Sequence, residues 1–212
     1  MSNLGNAFFH RDGQQYPASV TPVWLEVKER KIAGGTVDIK GLPKGTLIPL
    51  GIPTALKVMG GVARFLETFS VQEAVTASST SLKIKPENGA VIPAKGLILG
   101  KIDSAGNAAK AVALAGDPTV ANGVYTFTIE ANALGVLAVG DLLCIISEAG
   151  ENKKALVPDG LSWRQIFIDS DNAYAGTVAV VTKGQILADR IAALPDFYKA
   201  SMPGITLEYE AE

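Results

Sequence analysis

The sequence predicts a mainly β protein with minor α content, built from repeated bent hairpins. Three observations lead there. A motif of the form apolar-x-x-(x)-Gly-x-apolar recurs at Ile48–Pro53, Ile92–Ile98, Leu137–Leu143 and Val181–Leu187, with its glycines 45, 44 and 44 residues apart. Several runs alternate apolar and polar residues between Gly, Pro, Asn or Asp, the pattern of half-buried strands. Aromatics are scarce, 7% against 48% apolar residues, so Ala, Val, Ile and Leu must fill many thin layers. A fixed period of this size means that one structural unit is reused. The expected modules are β-clip-like, or barrel or sandwich units.

The middle two copies extend well past the motif. Ile102-Asp103-Ser104-Ala105-Gly106-Asn107-Ala108-Ala109-Lys110-Ala111-Val112 aligns with Ile146-Ser147-Glu148-Ala149-Gly150-Glu151-Asn152-Lys153-Lys154-Ala155-Leu156. Leu82–Asn88 matches Phe127–Asn132 in the same way. Each unit reads strand, turn, strand, polar Ala-Gly turn, strand. The first and last copies rest on the short motif alone, which joins strands in many proteins.

Strands are predicted at Ser81–Lys85, Val124–Ile129, Leu142–Ser147 and Thr177–Thr182, with shorter ones at Val37–Ile39 and Thr46–Leu50. In Gly61–Glu73, Val62, Phe65, Leu66 and Phe69 fit a short helix, while the alternation Ala63, Phe65, Glu67 fits a strand nearly as well. Ser162–Phe167 reads as one helical turn. Gln185–Leu194 reads as a short helix stopped by Pro195. Ile205–Glu210 alternates and reads as a closing strand with an acidic outer face. Prolines 43, 49, 53, 86 and 93 fall at strand ends or edges, where a missing donor does least harm.

Four regions follow: an N-terminal arm at 1–22, a β-rich part at 23–80, duplicated β modules at 81–160, and a β-rich part with a short helix at 161–212. The arm carries Phe8, Phe9 and Tyr16. These are the candidate partner-binding residues, because paired exposed Phe is hard to justify in a tail that touches nothing. A frayed terminus is the plainer alternative.

Composition narrows the function classes. The 212 residues suffice for one sizeable domain or two small ones. The formal net charge of −2 gives no electrostatic case for nucleic acid. The charged run Lys28-Glu29-Arg30-Lys31 reads as a solvated turn. No run reaches the roughly 18 apolar residues of a membrane span. No basic segment followed by an apolar stretch opens the chain, so no secretory signal is expected. The single cysteine, Cys144, lies in an apolar run and reads as a buried small hydrophobe, compatible with folding in a reducing cytoplasm.

Catalytic schemes fail on inventory, so the chain is expected not to be an enzyme, and no cofactor or metal is expected. The one histidine, His10, lies in the arm, and a Cys-His or Ser-His-Asp centre would have to recruit it there. No phosphate-binding G-x-x-x-x-G-K-[ST] loop occurs. Asp169-Ser170-Asp171-Asn172 has carboxylates at alternate positions, as calcium loops do, but lacks the spaced glycine and further ligands. Trp24 and Trp163 precede or join apolar runs and read as core.

Two family resemblances remain. Phe167–Val178 loosely resembles the uracil-pocket motif of trimeric dUTP pyrophosphatases, but it carries two extra residues and Ala175 where an arginine is expected. Ala77-Ser78-Ser79-Thr80 lacks both glycines of that family's phosphate motif. Gly41–Pro53, Thr76–Lys85 leading into Val91–Ile98, and Gly176–Arg190 resemble head decoration or head fiber proteins of tailed bacteriophages. The resemblance touches roughly residues 34–58, 76–112 and 174–194. It implies β-clip-like trimers on a capsid, made in the host bacterial cytoplasm and located on the virion surface. Its partners would be other copies of the chain and the major capsid protein lattice. The function it implies is a homotrimeric virion structural protein. The alternatives are a carbohydrate- or surface-binding β module, including one that takes a host-surface glycan, and a trimeric β-clip hydrolase.

Overall fold

The computed structural model describes residues 23–31, 35–38, 42–56, 62–168 and 174–209. The first part of the chain forms β1 (Trp24–Lys31), β2 (Thr36–Asp38), β3 (Leu47–Ile48), β4 (Pro53–Leu56) and β5 (Val62–Phe65). The middle forms β6 (Thr68–Val71), β7 (Ser81–Pro86), β8 (Ile98–Ile102), β9 (Asn107–Ala113), β10 (Thr119–Ala121), β11 (Val124–Thr128), β12 (Leu142–Ile145) and β13 (Gly150–Lys154). The last part forms β14 (Gly160–Ser162), β15 (Ile166–Phe167), β16 (Tyr174–Thr177), β17 (Val180–Leu187), helix α1 (Asp196–Ser201) and β18 (Ile205–Glu208). The protein is mainly β, with most strand pairs antiparallel, as the alternation predicts.

Two large sheets carry the fold. The middle strands make one, in the order β10-β11-β7-β6-β12-β8-β9-β13. The two flanking parts come together to make the other, in the order β1-β17-β14-β4-β5-β2-β16, with β18 beside β17. A third, two-stranded piece joins β15 to β3.

The duplication is real in the backbone. The copies are β7–β9 and β11–β13, and the segment ahead of each, at Val71 and at Leu114, matches as well. The copies also pair with each other, strand against equivalent strand: β7 with β11, β8 with β12, and β9 with β13. Leu82 lies opposite Phe127 and Gly100 opposite Cys144, each facing its own counterpart. The glycine turns repeat the same bonds. Gly96 N–H donates to Leu114 O at 2.8 Å and Leu114 N–H to Leu97 O at 2.9 Å. In the other copy, Gly140 N–H donates to Val71 O at 2.8 Å and Val71 N–H to Asp141 O at 2.9 Å. Both glycines have φ +87°, which an L side chain rarely adopts.

The fourth copy of the motif is not a turn. Gly184 sits inside β17, opposite Val27 of β1 and Ile205 of β18. A Cβ there would lie 2.4 Å from Glu26 O, so this glycine lets two backbones approach closely. Gly61–Glu73 is not a helix: its described residues hold β5 and β6. Gln185–Leu194 runs as the end of β17 and a single 3-10 turn at Ala188–Arg190, because β1 and β18 pair with this stretch on both sides. The helical turn expected at Ser162–Phe167 is the end of β14 followed by β15. The expected strand Thr177–Thr182 is split between β16 and β17.

Three apolar clusters hold these layers. Phe69, Leu82, Ile84, Leu99, Phe127 and Leu143 fill the interior of the duplicated body. Val37, Ile48, Ile52, Phe65, Ile168 and Val180 fill one end of the other sheet. Between them Leu66, Cys144, Ile146, Leu161, Ile186, Tyr198 and Met202 join the two. Helix α1 belongs to this joint. Its Phe197 ring lies where a side chain on Gly106 would be, so the polar Ala-Gly turn of the first copy becomes the seat of the helix.

Candidate functional site

Three places gather polar or reactive side chains. The first is Glu67, on the link from β5 to β6, with none of its surface exposed. Its Oε1 accepts from Asn88 N at 2.9 Å, Asn88 Nδ2 at 3.2 Å and Thr68 N at 3.2 Å, and its Oε2 accepts from Ala90 N at 2.7 Å. Burial raises its pKa above the ordinary value, while the donated N–H bonds pull the other way. The carboxylate is thus saturated by loop 88–90 and has no free lone pair aimed at solvent. Its chemistry is that of a structural pin.

The second is an open depression of about 260 Å³ lined by Lys101, Asp103, Ser104, Asp141, Pro195 and Asp196. Its three carboxylates do not converge. Asp141 binds Lys101 Nζ at 2.8 Å and Ala138 N at 2.8 Å. Partial burial opposes ionisation there, but these two donors outweigh it and hold the carboxyl below the usual range. Asp103 accepts from Ala105 N at 2.9 Å and Asn107 N at 2.8 Å, closing its own turn, and Asn107 N–H first among its donors keeps its pKa low. Asp196 pairs with Lys199 at 3.1 Å within helix α1. Among the described residues, no group of three or more His, Cys, Asp and Glu is placed to hold a metal ion.

The third is Trp163. The sequence reading placed it in the core, but it is half-buried, with the Arg30 guanidinium carbon 3.7 Å and that of Arg164 4.1 Å from its ring centroid. Two strands position the group. β1 sets Arg30 opposite Val181 of β17, and Trp163, the residue after β14, is fixed on the other side by a 2.9 Å bond from its N–H to Ala179 O, just before β17. The run Lys28–Lys31, read as a turn, is the end of strand β1. Trp24, by contrast, packs partly buried on the joint between the sheets, as expected of a core residue.

Cys144 is fully buried at that joint, facing Tyr198, and burial pushes its thiol up to about 12. The Tyr198 hydroxyl is pushed up as well, by burial first and then by Cys144. Neither group ionises near neutral pH, so both act as packing. Ser78 and Ser79 close a turn with Thr76, whose N–H donates to Ser79 Oγ at 2.9 Å. The candidate partner-binding residues Phe8, Phe9 and Tyr16 lie outside the described residues, as do His10 and the acidic stretch Asp169–Asn172. No helix among the described residues is long and apolar enough to cross a membrane. Sequence reasoning missed Glu67 and the arginine pair. The first was masked by its place in an alternating run, and the second by 134 residues of intervening chain.

No protein-family model, curated protein or solved structure matches the chain.

Proposed function

We propose that the chain is a virion structural protein, a homotrimeric decoration or head fiber subunit that attaches to a phage head and stabilises it. The observation that carries this reading is the self-paired duplicated body. Strand-on-strand pairing between equivalent segments, closed by matched glycine turns, makes a rigid block whose useful products are its surfaces. The polar side chains at Glu67, Asp103 and Asp141 serve loops and turns of that block. A scaffold of this kind acts through self-complementary faces and through segments or edges that join a neighbour. The phrases at 34–58, 76–112 and 174–194 add their resemblance to the same class. Summed burial across subunits, at about 25 cal/mol per Å² before association costs, would supply the stabilisation.

Light scattering of the purified chain tests the oligomer, with a threefold mass expected and a monomer at the highest soluble concentration overturning it. Deleting residues 2–16 tests the arm. The oligomer should persist while attachment to undecorated heads weakens, and unchanged attachment would remove the arm from the proposal.

A further inference from the structure

We propose that Arg30, Trp163 and Arg164 form a clasp for carboxylates, and that its occupant is the acidic segment Glu208-Tyr209-Glu210 of a second copy of the chain. This deepens the oligomeric part of the proposed function and rests on it.

The clasp is two cations held by one ring. Each guanidinium lies over the Trp163 indole, so their carbons are no farther apart than the sum of the two distances above. Cation–π contact contributes only about 0.5–1 kcal/mol at an exposed site, yet it fixes both planar groups and leaves their N–H edges free to donate. Neither arginine has a carboxylate partner among the described residues. Asp159, four residues before Trp163, is already taken by Lys31 Nζ at 3.7 Å and by Leu56 N–H at 2.7 Å. Glu26, Glu73, Asp141, Glu148 and Asp196 each pair with a lysine. The two guanidiniums, held 3.7 and 4.1 Å from one ring centroid, repel each other, and a carboxylate at the ring edge that bonds to both relieves the repulsion through charge-assisted bonds.

The chain carries a matching acidic stretch at Glu208, Glu210 and Glu212, with Tyr209 66% exposed among them. It cannot serve its own clasp. β18 runs parallel to β17 and puts Glu208 beside Leu187, whereas Trp163 bonds to Ala179, just before β17 starts. Eight residues of strand span about 26 Å. Glu212 is four residues past Glu208, a reach of at most about 14 Å, and β18 points away from Ala179. A segment from a second copy has no such limit. Tail-to-clasp contact is heterologous, and repeated about a threefold axis it would close the ring that the proposed trimer needs.

The test compares the full chain with R30Q/R164Q, E208Q/E210Q and the exchange R30E/R164E/E208R/E210R, each checked by circular dichroism. Light scattering against concentration should show both neutralised variants associating about tenfold or more weakly, the equivalent of one or two charge-assisted bonds. The exchange variant should recover association. A peptide of residues 207–212 should change the tryptophan fluorescence of the parent and not of R30Q/R164Q, with added salt weakening the effect. If R30Q/R164Q misfolds, E208Q/E210Q decides alone. Neutralised variants that associate like the parent overturn the clasp but leave the oligomer standing, whereas a monomeric parent overturns both. A sulfated or uronic-acid glycan that displaces the peptide and binds more tightly than it would assign the clasp to a sugar and overturn the occupant.

Discussion

The two copies of the repeat share a backbone plan and differ in what they are tied to. In the first, loop 88–91 turns toward the other sheet. Ala90 is buried in that sheet's core, Val91 packs against it, and Glu67 pins the backbone from beneath. In the second, the equivalent loop begins at Asn132, sends Ala133 and Leu134 into the duplicated body's own core, and leaves its valines in solvent. Val136 is 76% exposed and Val139 65%. The position equivalent to Glu67 falls at Ala111 or Val112, so no carboxylate lies beneath, and Lys110 Nζ holds Asn132 O from outside at 2.9 Å. The difference teaches where the duplicate sequences were free to part. They agree where a strand faces its own counterpart and diverge where a loop meets a different neighbour.

The largest expected effect comes from removing one copy's partner. A fragment of residues 1–120 lacks β11, β12 and β13, the strands that pair with β7, β8 and β9. It should show no cooperative thermal transition, and a soluble fragment that melts cooperatively would break the view that the copies form one unit. Within the intact chain, Leu82→Ala and Phe127→Ala empty facing positions of one core. Each should cost about 2–5 kcal/mol, and each should lower a single common transition in urea unfolding. Two separate transitions would mean that the copies fold independently.

Glu67→Ala sharpens the asymmetry. It leaves the part-buried N–H of Asn88 and the buried N–H of Ala90 without an acceptor, a loss of about 3 kcal/mol. Glu67→Gln keeps the shape but turns an amide donor toward one of those N–H groups, so a smaller loss is expected. The pH dependence separates the charge from the packing. The folded pKa is raised above 4.5, so the native state holds this proton more tightly than the unfolded chain. That contribution to stability is complete below about 4.5 and is lost as pH rises through the raised native value. Glu67→Gln should remove this falling slope from the curve of unfolding free energy against pH. An unchanged slope would show that the titration belongs elsewhere.

How much of this was legible in the sequence depended on how local each constraint is. The middle duplication was readable because turn geometry and strand alternation recur within a few residues of each glycine. Gly184 misled because glycine serves both a left-handed turn and a close approach of strands, and only the neighbours β1 and β18 distinguish them. Helix α1 was missed because six residues offer barely two turns of periodicity, and its buried Tyr198 reads like any isolated aromatic. The clasp at Trp163 joins Arg30 to a residue far along the chain, a proximity that β17 creates by pairing with both β1 and β14.

Gly96 and Gly140 offer a matched test of whether the copies still behave alike. Both have φ +87°, and neither has an atom within 4 Å of where a Cβ would stand. Substitution therefore strains only the backbone, and Gly96→Ala and Gly140→Ala should each cost about 1 kcal/mol. Equal losses, read as matching shifts of the urea midpoint, would show that the turns remain interchangeable despite their different surroundings. A loss confined to Gly96 would place the demand for rigidity in the pinned copy.

Lys110→Met is the mildest change and the most specific to the second copy. It removes the amine that bridges to Asn132 O while keeping much of the aliphatic stem. An exposed bond of this kind should cost at most about 1 kcal/mol, so the urea midpoint should hardly move. Local opening is the sensitive readout, because a surface loop can open without unfolding the body. Amide exchange in loop 130–136 should quicken, while exchange at Asn88 and Ala90, held by Glu67, should not change. If both loops quicken together, the tie at Lys110 supports the whole body and the contrast between a pinned copy and a loosely held one fails.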